Sequence, residues 1–100
     1  MAYRIEWTEP ASHQLDEILA YVRKNNPSAA ARLGQQITEK VDLLATSPFL
    51  GSVHSQPGSS IRRETRQGNY RIFYRVKESE QRVEILAIWH AARQEPNLPT

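Results

Sequence analysis

The stretch that decides the fold is GNYRIFYRVKESEQRVEILAIWHAARQ, residues 68–94. Gly68-Asn69 is typical of a two-residue hairpin turn, and residues 78–81 suit a longer hairpin loop. These turns predict strands over residues 60–67, 70–77 and 82–90. Because VEILAIW in the last strand is apolar on both faces, we expect that strand to lie centrally in a sheet.

The first half of the chain predicts one strand and two helices. Apolar and polar residues alternate over residues 2–8, as in a strand with one buried face. Thr8 can cap a first helix that runs to about Arg23, and Asn26-Pro27 can begin a second helix that ends near Ser47. The Ser-, Pro- and Gly-rich residues 47–60 predict a loop. The order β-α-α-β-β-β predicts an α+β fold, in which the N-terminal strand and a helical hairpin pack on one face of a small antiparallel sheet.

Length and composition restrict the class of protein. The chain has 100 residues, which predicts a single domain over residues 1–100, and it has no cysteine, which excludes disulfides and thiolate metal ligands. No His/Asp/Glu spacing predicts a metal site, no Gly-rich loop predicts phosphate binding, and no apolar run reaches the roughly 18 residues that cross a bilayer. We therefore expect a cytoplasmic protein with no membrane association, no metal and no cofactor.

The positive charge lies in the second half of the chain. Residues 51–100 carry eight Lys/Arg against five Asp/Glu, whereas residues 1–50 carry five against six. Ten of the thirteen cations are Arg, which suits bidentate contact with phosphate or carboxylate. This bias indicates an anionic partner, either nucleic acid or an acidic protein segment. A merely solvated sheet surface is an equally open interpretation.

The predicted strand register gathers many of these cations on one face of the sheet. Counting back from the tight turn places Arg66 opposite Arg71 and Arg62 opposite Arg75, and the second hairpin places Arg75 opposite Glu84. Like charges that face each other cost up to about 1 kcal/mol per pair, so carboxylates or a ligand must compensate them. The predicted inner face, on which the helices pack, carries Ile61, Ile72, Tyr74 and Val76. The predicted cationic face carries Arg62, Glu64, Arg66, Arg71, Phe73, Arg75, Glu84 and His90.

Five segments of the chain, in this order, resemble a known family: LDEILAYV, NPSAAARL, SPFLG, YRIFYRV and VEILAIWHAARQ. Together they look like the RelE/ParE superfamily of type II toxin-antitoxin toxins, which act in plasmid stabilisation. The resemblance implies a growth-inhibiting toxin that a cognate antitoxin neutralises in a hetero-oligomer. It leaves two targets open: ParE-like members inhibit DNA gyrase and are not nucleases, whereas RelE-like members are endoribonucleases that cleave mRNA on the ribosome.

The resemblance also implies roles for individual residues. In RNA cleavage a ribose 2′-OH attacks its phosphate, which requires a base, an acid and cations. In a RelE-like enzyme, Arg71 would bind the phosphate, Glu64 would be the base and His90 the acid, without a metal. The anion-binding residues would be Arg62, Arg66, Arg75 and Arg93.

Two departures from the RelE-like pattern favour the ParE-like branch. The basic, lysine-bearing segment is replaced by residues 55–60, and no tyrosine follows His90. The alanine-rich second helix and the HAAR ending are closer to ParE-like members. We therefore favour gyrase inhibition over mRNA cleavage. A third interpretation is a toxin that has lost activity and whose cationic face only binds antitoxin.

Overall fold

The structure is a computed structural model that describes residues 2–53 and 61–91. Its elements confirm the predicted α+β class and the predicted order, with one additional short strand. In chain order they are β1 (Arg4–Trp7), α1 (Glu9–Asn25), α2 (Pro27–Asp42), β2 (Ser52–Val53), β3 (Arg63–Gln67), β4 (Tyr70–Lys77) and β5 (Arg82–His90).

The five strands form one mixed sheet in the order β1-β5-β4-β3-β2. The predicted Gly68-Asn69 turn is confirmed: Gly68 has a φ of 59°, which glycine adopts without steric cost, and Arg66 pairs with Arg71. β5 is an interior strand, as predicted. β1 pairs with β5 in parallel, so the sheet is not wholly antiparallel. The chain between β1 and β5 contains both helices and three strands, so it is long enough for the crossover that parallel pairing requires. β2 lies in the predicted loop, where two residues are too few to show an alternating pattern.

Asn26 joins the two helices and fixes the sharp turn between them. Its backbone N–H donates to the carbonyl of Val22 at 2.9 Å and closes α1. Its side-chain oxygen accepts from the N–H of Ala29 at 3.0 Å and caps α2. Because one residue ends one helix and begins the next, the helices form a tight hairpin. None of the helices within the described residues is long and apolar enough to cross a membrane.

The helical hairpin covers one face of the sheet, here called the inner face. The buried cluster on that face comprises Ala11, Ile37, Val41, Leu44, Ile72, Tyr74, Val83, Ile85 and Ile88. Tyr74 also has a polar role, because its hydroxyl accepts a hydrogen bond from the N–H of Gly51 at 2.8 Å. This bond attaches the segment after α2 to the centre of the sheet.

A β-bulge at Leu86 divides β5 into two parts. On β4 the consecutive residues Phe73 and Tyr74 pair with Ala87 and Ile85, so Leu86 is an extra residue without a counterpart. Leu86 and Ala87 therefore both lie on the face opposite the helices, the outer face, in a small cluster with Phe73. From Ile88 onward the alternation of side chains is inverted relative to a regular strand.

Candidate functional site

The outer face of the sheet carries ionised side chains from four strands. Side chains along each strand alternate between the two faces of the sheet. Because the apolar side chains of these strands pack against the helices, the charged side chains between them lie on the outer face. Carboxylates lie between the cations. The charged residues of the outer face are Arg4, Glu6, Glu64, Arg66, Arg71, Arg75, Lys77, Arg82 and Glu84.

At the centre of this face, Glu64 and Arg71 form a bidentate ion pair across β3 and β4. The Arg71 guanidinium donates from Nε to Oε2 at 2.8 Å and from Nη2 to Oε1 at 3.0 Å. Only 10% of the Arg71 side chain and 13% of the Glu64 side chain are exposed. The guanidinium also lies 4.8 Å from the centre of the Phe73 ring, and Arg66 Nε approaches the same carboxylate at 3.3 Å. The predicted compensation of Arg66 and Arg71 by a carboxylate is confirmed.

A second group of ion pairs surrounds Glu84 on β5. Arg75 donates to Oε1 of Glu84 from Nη2 at 2.7 Å and from Nε at 3.0 Å, as the predicted register requires. Arg82 Nη2 lies 3.5 Å from the other oxygen of Glu84, and Arg82 Nη1 lies 3.3 Å from Glu6 Oε2 on β1. The charges of β4, β5 and β1 are therefore linked by alternating cations and carboxylates.

These contacts keep both central carboxylates ionised. Hydrogen bonds from Arg71 lower the pKa of Glu64 from the ordinary value of 4.5, against the opposing effect of burial and together with the charges of Arg71 and Arg66. Burial raises the pKa of Glu84, but the hydrogen bonds and charge of Arg75 and the charges of Lys77 and Arg82 outweigh it, and the net shift is downward. Burial also raises the pKa of Tyr74, so its hydroxyl stays protonated as an acceptor for Gly51.

Two predicted residues of the cationic face lie elsewhere. Arg62 is completely buried, whereas Ile61, predicted to face the helices, is 64% exposed. The prediction was wrong because β3 begins only at Arg63, so regular alternation does not extend to these two residues. Arg93 lies outside the described residues.

His90 lies on the inner face and not beside the arginines. Its ring packs edge to face against Tyr70, with ring centres 5.3 Å apart. The two residues are paired across β4 and β5, and Tyr70 packs against the core under the helices. The bulge at Leu86 explains the error, since one extra residue moves every later side chain to the other face. The structure thus brings Glu64, Arg66 and Arg71 together and separates them from His90.

A groove between α1 and the end of β5 was not predicted. It encloses about 660 Å³, and its lining includes Gln14, Ile18, Tyr21, Tyr70, Ile88 and His90. We call it the α1/β5 groove. The residue that could have indicated the groove in the sequence is Tyr21, an aromatic residue beside the apolar stripe of α1. In the structure Tyr21 is 71% exposed. Over residues 2–53 and 61–91, no group of three or more His, Asp or Glu residues could hold a metal ion.

The ion pair of Glu64 predicts a specific dependence of stability on pH. Because the folded-state pKa of Glu64 is lowered, its stabilising contribution is present above the unfolded-state pKa and is lost as the pH falls through the folded-state value. Glu64→Gln should cost about 1–3 kcal/mol of unfolding free energy at neutral pH. That difference from the wild type should shrink as the pH falls below 4.5, because the unfolded chain then takes up a proton at Glu64, and it should be smallest below the lowered folded-state pKa, where Glu64 is protonated in the folded protein as well and resembles glutamine.

Urea unfolding of both proteins between about pH 7 and pH 3 measures this difference. Glu78→Gln, at an exposed position, controls for the loss of one surface charge and should have a smaller effect at neutral pH. A difference for Glu64→Gln that stays constant over this range would contradict the prediction.

Comparison with known proteins identifies the family of this chain. Residues 5–95 match the family model described as the ParE toxin of the type II toxin-antitoxin system, parDE. A curated protein of Sinorhizobium fredii (strain NBRC 101917 / NGR234), Y4kP, which is named as a candidate toxin, is 41% identical over 98 residues and 95% of either chain.

Solved structures share the fold at low sequence identity. The chromosomal ParDE toxin-antitoxin system from P. aeruginosa has a TM-score of 0.73 at 24% identity, covering 89% of this chain and 96% of that one. The archaeal RelE-RelB complex from Pyrococcus horikoshii OT3 has a TM-score of 0.68 at 20% identity, covering 94% and 100%. These likenesses establish the fold, and the family model and the curated relative establish the family. The chain belongs to the ParE toxin family of type II toxin-antitoxin systems.

Proposed function

We propose that this toxin inhibits DNA gyrase by binding it as a protein, and that a cognate antitoxin neutralises it by forming a hetero-oligomer. The site of action is then the cytoplasm. The match to the ParE family supports the choice of gyrase over the alternative, ribosome-dependent mRNA cleavage. The observation that carries the proposal is the separation of His90 from Glu64 and Arg71 by the thickness of the sheet.

That separation weighs against an acid and a base acting on one phosphate. Cleavage through the 2′-OH needs a base near the hydroxyl and an acid near the leaving oxygen, each within hydrogen-bond reach. Glu64 lies on the outer face, whereas His90 packs against Tyr70 on the inner face. A single RNA phosphate on the outer face is therefore out of reach of the imidazole.

The environment of Glu64 also makes it a poor base. Both of its carboxylate oxygens accept hydrogen bonds from Arg71, and its pKa is lowered. A general base works best with a pKa near the operating pH, which in other enzymes is reached by raising the pKa of a carboxylate. A phosphate at the Nε–Nη2 edge of Arg71 would also have to displace the Glu64 carboxylate that already accepts both hydrogen bonds there. This supports a structural role for the pair.

The charge of the outer face suits recognition of a protein. Arg4, Arg66, Arg71, Arg75 and Arg82 each lie within 4.0 Å of a carboxylate of this chain. A surface with such internal compensation binds nucleic acid less strongly than a row of uncompensated cations would, because fewer counterions are released. Carboxylates of a protein partner can still exchange with those of the toxin at the more exposed Arg66 and Arg4.

Two assays on the purified toxin test the proposal. In a gyrase supercoiling assay, we expect wild-type toxin to inhibit supercoiling and added antitoxin to restore it. In a ribosome-dependent mRNA cleavage assay, we expect no cleavage products above the level without toxin. The opposite pattern, with cleavage that His90→Ala abolishes while the variant stays folded, would establish the RelE-like alternative.

A further inference from the structure

Exposed apolar side chains gather at the end of the sheet that β2 forms. Of the six exposed large hydrophobic residues in the described part of the chain, four lie in β2, just before it or at the entry to β3, and each is at least 48% exposed. Single exposed apolar residues are normal, whereas a group of them marks an interaction site. Together with the arginine that lies among them, they are called the edge patch: Phe49, Leu50, Val53, Ile61 and Arg63.

The strand register places Arg63 between the buried core and the exposed end of the sheet. Arg63 pairs with Val53 on β2 and with Tyr74 on β4, so these three side chains lie on the same face. Tyr74 is completely buried, whereas Val53 is exposed, so the helices cease to cover the inner face between β4 and β2. The Arg63 guanidinium also lies 4.9 Å from the centre of the Phe49 ring. Arg63 therefore joins Phe49 and Val53 into one surface.

The segment before β2 is anchored to the sheet at Gly51. The Gly51 N–H donates to the hydroxyl of Tyr74 at 2.8 Å, and the Gly51 carbonyl accepts from Nη1 of Arg63 at 2.9 Å. A Cβ at position 51 would lie only 2.6 Å from the carbonyl oxygen of Glu64, so this close approach requires glycine. The two apolar residues just before Gly51 are therefore exposed on an ordered segment. Binding a partner with them costs less conformational entropy than ordering a flexible loop.

The charge of Arg63 is not compensated within the described chain. The other arginines of the strands each lie within 4.0 Å of a carboxylate of this chain; they are Arg4, Arg66, Arg71, Arg75 and Arg82. Over residues 2–53 and 61–91, the contacts of Arg63 are with the Gly51 carbonyl and the Phe49 ring, and no carboxylate is among them. A guanidinium at an apolar surface is complementary to a partner that offers a carboxylate.

This charge argues against self-association through the edge patch. A two-fold contact between copies of this chain would place the patch against itself, so the Arg63 side chains of both copies would approach each other. Such a contact would supply no carboxylate to either of them. The occupant that the patch fits is therefore a different protein, which has an apolar surface with Asp or Glu at its centre.

We propose that the toxin binds gyrase through the edge patch, and that gyrase offers an apolar depression with an Asp or Glu opposite Arg63. The inference rests on the proposed function, which makes gyrase the target, and it adds the surface of the toxin and the chemistry of the contact. Because the toxin acts only when it is free of antitoxin, its target surface must be formed in the isolated chain. The hydrogen bonds of Gly51 form this surface without any partner.

Calorimetric titration of toxin variants into purified gyrase tests the edge patch. Arg63→Glu should weaken binding by about 30-fold or more, because it replaces an attraction to a carboxylate with a repulsion. Leu50→Ala should weaken binding by about 5- to 10-fold through the loss of apolar contact. The affinity of both variants for full-length antitoxin, measured in the same way, should stay within about twofold of wild type.

The matched controls are Arg32→Glu and Tyr21→Ala, one exposed cation and one exposed aromatic residue outside the edge patch. Both should bind gyrase within about twofold of wild type. Thermal unfolding by circular dichroism verifies that the variants are folded. If Arg63→Glu fails to fold because it loses its bond to Gly51, Leu50→Ala still decides the question, since its side chain is half exposed.

The outcomes separate the edge patch from the proposed function. If wild-type toxin inhibits supercoiling and the folded patch variants bind gyrase within about twofold of it, the patch proposal is wrong and the proposed function stands. The patch proposal is also wrong if these variants lose affinity for antitoxin and not for gyrase. The same holds if sedimentation shows a wild-type dimer that Leu50→Ala converts to a monomer. A wild-type toxin that neither binds nor inhibits gyrase overturns the proposed function and the patch proposal together.

Discussion

Replacing Glu64 with alanine is expected to lower the free energy of unfolding by roughly 3–5 kcal/mol, the usual cost of removing one partner of a buried ion pair. The variant removes a carboxylate that accepts two hydrogen bonds from Arg71, at 2.8 and 3.0 Å. Because only 10% of the Arg71 side chain is exposed, water can replace little of this interaction. Urea unfolding at neutral pH gives the value, and Glu78→Ala at an exposed position should change it by less than about 0.5 kcal/mol.

A double variant separates the net contribution of the ion pair to the free energy of unfolding from the cost of removing only one of its partners. In Arg71→Met with Glu64→Leu, apolar side chains of similar volume replace both charges. We expect this double variant to regain most of the stability that Glu64→Ala loses. A cost below about 1 kcal/mol for Glu64→Ala would contradict the prediction, because it is typical of a solvated surface pair.

Tyr74→Ala is expected to cost about 3–5 kcal/mol, the range for removing a large aromatic side chain from a core. Tyr74 is completely buried among the residues between the helices and the sheet. Its loss also removes the acceptor of the Gly51 N–H, which holds the segment after α2 at 2.8 Å from the hydroxyl. Chemical unfolding of Tyr74→Ala and Tyr21→Ala gives a matched comparison, since Tyr21 is largely exposed and should contribute less than about 0.5 kcal/mol.

Tyr74→Phe isolates the polar part of this effect. The ring stays in place, and only the acceptor for Gly51 is lost, which should cost about 1–3 kcal/mol. If Tyr74→Phe and Tyr74→Ala were equally unstable, the buried ring would contribute nothing beyond its hydroxyl. That result would contradict the assignment of Tyr74 to the core.

The second half of the fold follows from local sequence signals. Gly68-Asn69 determines the first hairpin, and the bounds of β4 and β5 coincide with the predicted residues 70–77 and 82–90. The pairs Arg66–Arg71 and Arg75–Glu84 follow from these turns by counting along the strands. These features were predictable because a hairpin turn depends on only a few consecutive residues, which can be recognised in the sequence.

Features that depend on distant parts of the chain were not predictable in this way. The parallel pairing of β1 with β5 joins residues more than 70 positions apart, and no local pattern encodes it. The position of His90 depends on one extra residue at Leu86, which has the same apolar character as its neighbours in the sequence. The α1/β5 groove results from the different lengths of β1 and β5 and from the position of Gln14. In the sequence Gln14 is typical of a surface residue, and only the fold brings its side chain to the N–H of Ile88.

The bulge in β5 has a consequence for the comparison of related toxins. Because side chains alternate between the two faces of a strand, the bulge at Leu86 reverses the face of every later residue, so two chains with the same spacing and the same residue at position 90 present it to different faces if only one of them forms the bulge. Deleting Leu86 would remove the bulge and leave the His90 ring on the inner face, because Ala87 would still pair with Phe73 and His90 with Tyr70; regular pairing that kept Leu86 would instead turn His90 to the outer face. An aligned histidine at the end of this strand is therefore evidence of a shared role only between relatives that also share the bulge.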